Sequence, residues 1–400
     1  MTRVLISGAS IAGPALGLWL ARYGFDVTIV EQAPAVRPGG QAVDFKGETH
    51  LTVLRRMGLL DDVERLATGG GGDGRIIDAE GRTLGITPAA FSGGDLEIRR
   101  GDLAQLLVER TAATCRYVFD DTITALHETP DGVDVTFRRS PAQTFDLVVG
   151  ADGIHSTVRR LAFGPESDYV TYLGHYYALL EVDGDLVAAD EMYNEPGRMV
   201  ATGGPKAPAF FVFRSEPLDV ERGDVEAQKQ ALREAYRGAA WKVPQLLEAL
   251  PDTRDFHLDS ISRVHVDRYS RGRVVLVGDA AYGNALGGFG TGLAVVGAYV
   301  LAGELMTAGG DHERAFAAYD RKFRGYAKVA EKVNAGALLA PSSRTRIWLR
   351  NKLFSVAPLF TRVMALMDRF ATDIDLEDYP TSSPGAPSVI ATARATSPPD

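Results

Sequence analysis

Cysteine is nearly absent from this sequence, and histidine is scarce. The one cysteine, Cys115, rules out an intramolecular disulfide and any metal site built from several cysteines. The seven histidines are scattered, without the spacing of a metal-binding pair. We therefore expect neither a disulfide framework nor a metal centre.

The sequence also lacks an excess of positive charge and any long apolar run. The 43 Lys and Arg residues are outnumbered by 52 Asp and Glu, which gives a formal net charge of −9. This balance gives no electrostatic reason to bind nucleic acid. Neither a membrane span nor a signal peptide is indicated, because the apolar N-terminal run breaks at Gly8. We expect a cytoplasmic monomer or homodimer and, at 400 residues, two or more structural units.

What the sequence does contain is a glycine turn between two apolar segments at its N-terminus. Residues 3–7 predict a buried strand, and residues 25–30 predict a second strand that ends at Glu31. Between them, a turn from Gly8 to Gly13 leads into a helix with Pro14 at its favourable first position. This order is typical of a βαβ unit that binds a dinucleotide. The turn and the helix N-terminus present N–H groups to a pyrophosphate, and Glu31 accepts hydrogen bonds from ribose hydroxyls.

Two other interpretations of this turn are weaker. Residues 8–12 resemble a hydrolase nucleophile elbow with its last glycine replaced, but that elbow normally follows several strands. A short-chain dehydrogenase would need glycines where Ala12 and Pro14 stand, and no tyrosine here has a lysine four residues later.

A second strand, turn and helix lie near residues 273–293. The strand over residues 273–277 ends in Gly278-Asp279, where Asp279 is placed to accept hydrogen bonds from ribityl or ribose hydroxyls. A glycine-rich loop and a helix N-terminus follow. The backbone groups that can stabilise negative charge there belong to Gly288, Gly290, Thr291 and Gly292. A reduced flavin carries negative charge at N1 and O2, so this element suits a flavin.

The elements along the chain predict an α/β fold with a discontinuous first domain. We expect a Rossmann-type, glutathione-reductase-like FAD-binding domain over residues 1–168 and 266–342, which includes a hairpin over residues 75–86. An inserted, mostly antiparallel substrate domain is expected over residues 169–265, and bridging helices over 343–379. Residues 380–400 are rich in Pro, Ser, Thr and Ala and are expected to form a poorly ordered tail.

Three elements now stand in order: the glycine motif with Glu31, the Asp152-Gly153 turn with Arg159, and the Gly278-Asp279 turn. Together they resemble the class A FAD-dependent aromatic monooxygenases, the para-hydroxybenzoate hydroxylase-like family. The resemblance covers about residues 2–340. It looks closest to members that act on antibiotics and aromatic polyketides, in biosynthesis or resistance, including tetracycline-inactivating enzymes. It implies that Arg100 contacts FAD, that Asp152 serves FAD and NAD(P)H, and that Asp279 holds the ribityl chain.

The motifs and the resemblance together give the expected site residues. For the cofactor they are Gly8, Ser10, Ile11, Ala12, Gly13, Glu31, Gln32, Arg37, Gln41, Asp44, Arg100, Ile123, Asp152, Asp279, Gly288, Gly290, Thr291 and Gly292. Among these, Gln41 and Asp44 are expected to border the isoalloxazine. Arg37 and Lys46 are candidates for NAD(P)H phosphates, with exposed solvation as the alternative. For the substrate wall the candidates are Tyr177, Tyr193, Phe211 and Phe213, with ordinary core packing as the alternative.

The resemblance also implies a single-component hydroxylase. NADPH or NADH would reduce FAD, O₂ would add at flavin C4a, and the hydroperoxide would hydroxylate or epoxidise an aromatic or polyketide-like molecule. The flavin would carry this chemistry, so no catalytic side chain is identified. One alternative is a homologue that keeps FAD and catalyses a non-redox cyclisation. A flavin-dependent halogenase fits less well, because Trp241-Lys242-Val243 does not supply the Trp-x-Trp-x-Ile motif.

The sequence departs from the family pattern at several positions. Ser10 replaces the central glycine of the first motif, and Tyr282 stands where histidine is usual. The loop over residues 282–288 lacks the usual proline, with Leu286 near its place, and is one residue short. The changes in residues 282–288 are expected to lie beside the flavin ring, where they bear on flavin movement and oxygen chemistry.

Overall fold

The structure is a computed structural model that describes residues 1–69, 72–89, 94–182, 184–204, 207–253, 255–328, 333–355 and 374–380. Its strands are β1 (Arg3–Ser7), β2 (Asp26–Val30), β3 (Ala42–Phe45), β4 (Gly74–Ile77), β5 (Thr83–Thr87), β6 (Leu96–Arg99), β7 (Cys115–Val118), β8 (Ile123–Thr129), β9 (Gly132–Phe137), β10 (Gln143–Phe145), β11 (Leu147–Gly150), β12 (Val170–Leu180), β13 (Glu191–Glu195), β14 (Arg198–Gly204), β15 (Ala207–Arg214), β16 (Phe256–Val264), β17 (Ser270–Arg271) and β18 (Val274–Leu276). Its α-helices are α1 (Ala12–Arg22), α2 (Gly47–Met57), α3 (Leu60–Arg65), α4 (Arg100–Thr111), α5 (Thr157–Ala162), α6 (Val225–Ala235), α7 (Val243–Glu248), α8 (Asp279–Tyr282), α9 (Gly290–Thr307), α10 (His312–Ala327), α11 (Ala335–Leu339) and α12 (Arg344–Ser355).

The first sheet has six strands in the order β17-β18-β11-β1-β2-β7 and is parallel apart from the edge strand β17. Val4, Leu5 and Ile6 of β1 are fully buried, because a parallel sheet of this kind is covered on both faces. β18 returns to this sheet after the whole second sheet has been formed. The predicted discontinuous parallel domain is therefore confirmed.

Helix α9 lies in the core of this first domain. It packs against α1 and α10. Within the described residues it is the one helix long and apolar enough to cross a membrane, with 78% of its 18-residue apolar window buried. That burial is the usual property of a core helix, which needs apolar side chains on every side.

The second sheet has seven strands in the order β16-β12-β15-β14-β13-β4-β5. It is antiparallel except where β13 pairs with β4, so the predicted mostly antiparallel second domain is confirmed. The predicted hairpin is also present, as β4 and β5. Its assignment to the first domain is wrong, because β4 pairs with β13, a strand of the second sheet that is distant in sequence.

The second sheet has two different faces, since successive side chains of a strand point to opposite sides. The helix face carries Ala178 and Phe211 and packs beneath α6 and α7. The cleft face carries Tyr177, Leu179 and Val212 and packs toward loops of the first domain. The space between the cleft face and those loops is the candidate site.

The C-terminal part of the described chain contacts both domains. α12 packs against β5 and β13 of the second sheet. Residues 374–380 return to the first domain, where Tyr379 donates a hydrogen bond to the buried carboxylate of Glu304. A C-terminal helix is thus present as α12, but its contacts are with the second sheet, so its bridging role stays a prediction. Residues 356–373 and the expected tail beyond Pro380 lie outside the described residues.

Candidate active site

The first glycine turn joins β1 to α1 at very close quarters. Gly8 has a φ of 110°, a conformation that a side chain disfavours. A Cβ at Gly8 would lie 2.4 Å from the Ala151 carbonyl oxygen, and one at Gly13 would lie 1.9 Å from the Gly8 carbonyl oxygen. Only glycine fits at either position. The Ile11 side chain forms no capping hydrogen bond at the start of α1, so the first N–H groups of the helix face outward and can bind an anion.

Glu31 lies at the carboxyl end of β2, beside that turn. Its two carboxylate oxygens accept hydrogen bonds from the Ala9 and Ala33 backbone N–H groups, each at 2.9 Å. These bonds fix the carboxylate against the turn and leave further lone pairs on both oxygens. A ribose diol is a suitable donor for them. The neighbouring Gln32 is exposed, and Ile123 is buried at the start of β8.

Arg100 connects a second loop to the glycine turn. Its Nη2 donates to the Ser10 hydroxyl at 3.0 Å, and its backbone N–H donates to the Gln41 carbonyl at 3.1 Å. Ser10 stands where the motif usually has glycine, and its hydroxyl accepts the hydrogen bond that fixes Arg100. Asp44 follows on β3 and is buried, whereas Arg37 is exposed.

The second glycine turn meets the first. A Cβ on Gly278 would lie 2.8 Å from the Cβ of Ala12 at the start of α1. Asp279 follows at the start of α8, and its carboxylate has no hydrogen bond to any other described residue. Burial raises the pKa of Asp279, and the nearby Arg100 charge opposes that rise. A half-buried acceptor without a partner in the described chain can accept from a ligand, and the hydroxyls of a ribityl chain are donors of the right chemistry.

The N-terminus of α9 lies next to Asp279. A Cβ on Gly290 would be 3.5 Å from the Asp279 Oδ1. The first turn of α9 also contains Thr291 and Gly292, and Gly288 precedes it with a φ of 80°. Phe289, the residue before the helix, forms no side-chain cap. The expected flavin-facing helix start is therefore beside the expected acid.

His50 is a residue of this region that the sequence did not single out. A Cβ on Gly292 would lie 2.0 Å from the His50 ring. His50 Nδ1 accepts the Lys46 backbone N–H at 2.9 Å, and its Nε2 is 2.9 Å from the Tyr326 hydroxyl. Burial lowers the pKa of His50 to about 4, so the ring is neutral at pH 7 and supports the start of α9.

Lys46 is buried rather than exposed. Its ammonium lies 5.4 Å from the centre of the Phe289 ring, and the residue is 7% exposed. The alternative of exposed solvation is therefore wrong for Lys46, whose side chain points toward the start of α9. Arg37 is exposed, which fits simple solvation as well as a phosphate contact, so its role stays a prediction.

Asp152 has its carboxylate oxygens occupied by the protein itself. They accept hydrogen bonds from the Ser156 hydroxyl and, at 3.0 Å, from the Val158 N–H, at the start of α5. Burial raises the pKa of Asp152. The fully buried Arg159 then ties this turn to the second glycine turn, since it donates to the Ala280 carbonyl at 2.8 Å.

The substrate-wall candidates separate onto the two faces of the second sheet. Tyr177 lies on the cleft face. Tyr193, Phe211 and Phe213 lie on the helix face, where the rings of Phe211 and Phe213 are 5.0 and 5.9 Å from the ring of Tyr236. The expectation for these three is wrong because of strand alternation. Phe210, one position from Phe211, contacts the cleft-face cluster instead.

The cleft face carries a group of polar side chains around Tyr177. There the Tyr177 hydroxyl is 3.2 Å from His257 Nε2. Burial lowers the pKa of His257, and the Asp259 charge opposes that change. Asp259 itself is 3.2 Å from His155 Nε2. Burial is the largest single influence on Asp259 and raises its pKa. The hydrogen bond and charge of His155, the Ser260 N–H and the charge of His257 together outweigh burial, so the pKa falls.

Tyr282, the last residue of α8 before the flavin-side loop (residues 283–289), does not lie where the sequence predicted it. The Tyr282 ring points into the core, 4.9 Å from the Phe323 ring and 5.5 Å from the Tyr269 ring. Its replacement of the usual histidine therefore does not put a phenol beside the cleft. Leu286 does face the cleft, where it packs against the cluster that contains Tyr177.

The comparisons with known proteins agree with this geometry. The sequence model of a family described as the FAD binding domain matches residues 1–332. An uncharacterized protein of Mycobacterium tuberculosis (strain H37Rv) is 40% identical over 372 residues, which cover 87% of this chain and 98% of that protein. A flavin-dependent monooxygenase of Legionella longbeachae is 35% identical over 342 residues, which cover 82% and 87% of the two chains. The crystal structure of the tetracycline destructase Tet(51) superimposes with a TM-score of 0.81 at 30% identity, over 95% of this chain and 99% of the other.

Proposed function

This chain belongs to the flavin-dependent monooxygenases of the FAD binding domain family, and from that membership we propose that it hydroxylates or epoxidises an aromatic, polyketide-like small molecule. FAD, when bound, takes electrons from NADPH or NADH, activates O₂ and transfers one oxygen atom to the substrate. The nicotinamide donor and a C4a-hydroperoxide as the oxygen donor stay predictions.

The observation that carries the proposal is the junction of the two glycine turns. It combines two helix N-termini, a carboxylate fixed beside the first turn at Glu31, and the half-buried Asp279 carboxylate without a hydrogen bond to another described residue. The first set suits a pyrophosphate and a ribose, and Asp279 suits the ribityl chain that joins them to a flavin ring. FAD has all of these parts.

The other cofactor roles follow the same proposal. Arg100, anchored on Ser10, would hold the flavin side of the cleft together with Gln41 and Asp44. Arg37, which is exposed and electrostatically coupled to His257, would meet a phosphate of the nicotinamide donor. Asp152 would affect the cofactor indirectly, because its carboxylate fixes the turn at the start of α5.

The cleft supports an aromatic substrate with a polar edge. Tyr177, Leu179 and the half-buried Phe210 contribute apolar surface on the cleft face, which suits fused rings and excludes water from the reacting centre. The Tyr177–His257 pair offers hydrogen bonds at one end, where a phenol or enol hydroxyl would fit. The tetracycline destructase named above suggests the multi-ring end of this class.

The experiment measures flavin content and nicotinamide oxidation in the purified protein. We expect the absorbance of oxidised FAD at about one FAD per chain, and NADPH or NADH oxidation that phenolic polyketides accelerate. FAD at that stoichiometry with no nicotinamide oxidation under any substrate would favour a non-redox role. Colourless protein that FAD does not reconstitute would contradict the proposed cofactor site.

A further inference from the structure

The flavin-side loop pairs with β16, a strand of the second sheet, as a short extra strand. The Val264 N–H donates to the Gly283 carbonyl at 2.7 Å, and the Ala285 N–H donates to the Ser262 carbonyl at 3.0 Å. Arg263 and Asn284 form an antiparallel bridge between these bonds. The loop begins at the helix of Asp279 and is hydrogen-bonded to β16, so it belongs to both walls of the cleft.

Leu286 follows this bridge in a left-handed backbone conformation. Its φ is 59°, and only Asp120 and Trp241 share a positive φ among the described residues other than glycine. A branched side chain rarely adopts this region. Glycine adopts this conformation without strain, and two glycines, Gly287 and Gly288, follow immediately. The left-handed position of the loop is nevertheless occupied by leucine. Strain that the fold maintains is a reason to look for a functional side chain.

The side chain of Leu286 lies in the cleft. It is half-buried and packs against the cleft-face cluster that contains Tyr177, Leu179, Ile261 and Ala285. A right-handed conformation at this residue would redirect the side chain away from that cluster. A proline, which fixes φ near −65°, cannot adopt the observed φ. The Leu286 side chain therefore forms part of the cleft wall on the side of this loop.

We propose that Leu286 is a specificity-determining residue that limits the bulk of the ring system accepted between the flavin-side loop and the cleft face. The inference rests on the proposed function, because it assigns an aromatic ligand to this cleft. Its isobutyl group leaves room for a flat ring and obstructs substituents that project out of the ring plane. Removal of that group would admit bulkier molecules.

Two variants separate the side chain from the backbone strain. Leu286→Ala and Leu286→Gly both remove the isobutyl group, but only glycine also relieves the left-handed strain. The probes are 1-naphthol, which is flat, and tetracycline, which carries out-of-plane substituents. Binding to FAD-loaded protein is followed by the change in flavin absorbance, which requires no turnover. Leu84→Ala on β5, where Leu84 is 59% exposed, is the control leucine outside the cleft.

We expect both Leu286 variants to shift the ratio of the two dissociation constants toward tetracycline by about tenfold or more, because even one methylene group in an apolar pocket discriminates by about tenfold. The glycine variant should melt at a higher temperature than the alanine variant, and Leu84→Ala should keep the wild-type ratio. An unchanged ratio in both Leu286 variants overturns the inference, as does failure of all the proteins to bind either probe. NADPH oxidation, measured in parallel, tests the proposed function separately, because the binding ratio can shift without any oxidation.

Discussion

Asp279 is the residue on which cofactor affinity should depend most. Its carboxylate is half-buried, and no other described residue donates a hydrogen bond to it. Replacement by alanine removes the acceptor for the ribityl hydroxyls. We expect Asp279→Ala to raise the Kd for FAD about 10- to 100-fold, or about 1.4–2.7 kcal/mol. Quenching of flavin fluorescence on titration of the apoprotein measures this.

Two matched variants define what the Asp279 result means. Asp279→Asn keeps one acceptor oxygen and should lose less FAD affinity than the alanine variant. Asp152→Asn changes a carboxylate that the protein already uses, through Ser156 and Val158, and should mainly lower the free energy of unfolding. An Asp279→Ala protein that binds FAD with the wild-type Kd would contradict the assignment.

His50 makes stability depend on pH. Burial lowers its folded pKa to about 4, whereas an unfolded histidine titrates near 6.5. The unfolded chain therefore binds a proton over this range that the folded protein does not. His50 contributes to stability above pH 6.5, and this contribution of up to about 3 kcal/mol is lost as the pH falls toward 4.

Urea unfolding at pH 7 and pH 4.5 tests this linkage. His50→Asn should lose less stability on acidification than the wild type does, because it has no titratable ring. His127→Asn is the control, since His127 is exposed on β8 and its replacement should leave the wild-type dependence in place. Identical acid losses in wild type and His50→Asn would show that His50 is not the responsible group.

At the scale of the element, strand alternation decides which aromatic residues meet the substrate. Phe213 is 1% exposed and packs on the helix face, so Phe213→Ala should lower the free energy of unfolding by about 3–5 kcal/mol. Phe210 is half-buried at the cleft face. Phe210→Ala should change the KM for the substrate with a smaller loss of stability. Urea unfolding and steady-state kinetics together test the pair, and the reverse pattern would place the cleft on the other face.

The elements that the sequence predicted well are the local ones. The turns at Gly8 and Gly278 are defined by residues that are close in sequence, and their acids follow at fixed offsets. Alternation itself was also visible in β15. The sequence did not show which face of the second sheet meets the first domain, because that depends on where α6 and the first domain pack.

The remaining errors also involve long-range contacts. Hairpin β4–β5 joins the second sheet because of β13, and the direction of Tyr282 depends on the packing of α10. His50 was missed because its neighbour Gly292 is distant in sequence. Each needs tertiary contacts that periodicity and propensity do not encode.

At the scale of the whole molecule, the two domains are joined around the cleft by polar contacts. His155, which follows the Asp152 turn, is 3.2 Å from Asp259 of the second sheet and 3.0 Å from Glu166 of the connecting segment. The flavin-side loop is hydrogen-bonded to β16. These contacts hold the two domains together on either side of the cleft, and the flavin-side loop lies against the cleft face of the second sheet.

The most direct test of the account is oxygen incorporation under ¹⁸O₂. The FAD-loaded protein is incubated with NADPH or NADH and a phenolic polyketide, and the product is analysed by mass spectrometry. Monooxygenation gives a product that gains one ¹⁸O atom, with about one nicotinamide oxidised for each product formed. A product without ¹⁸O, or a product formed equally well in the absence of O₂ and nicotinamide, would contradict it.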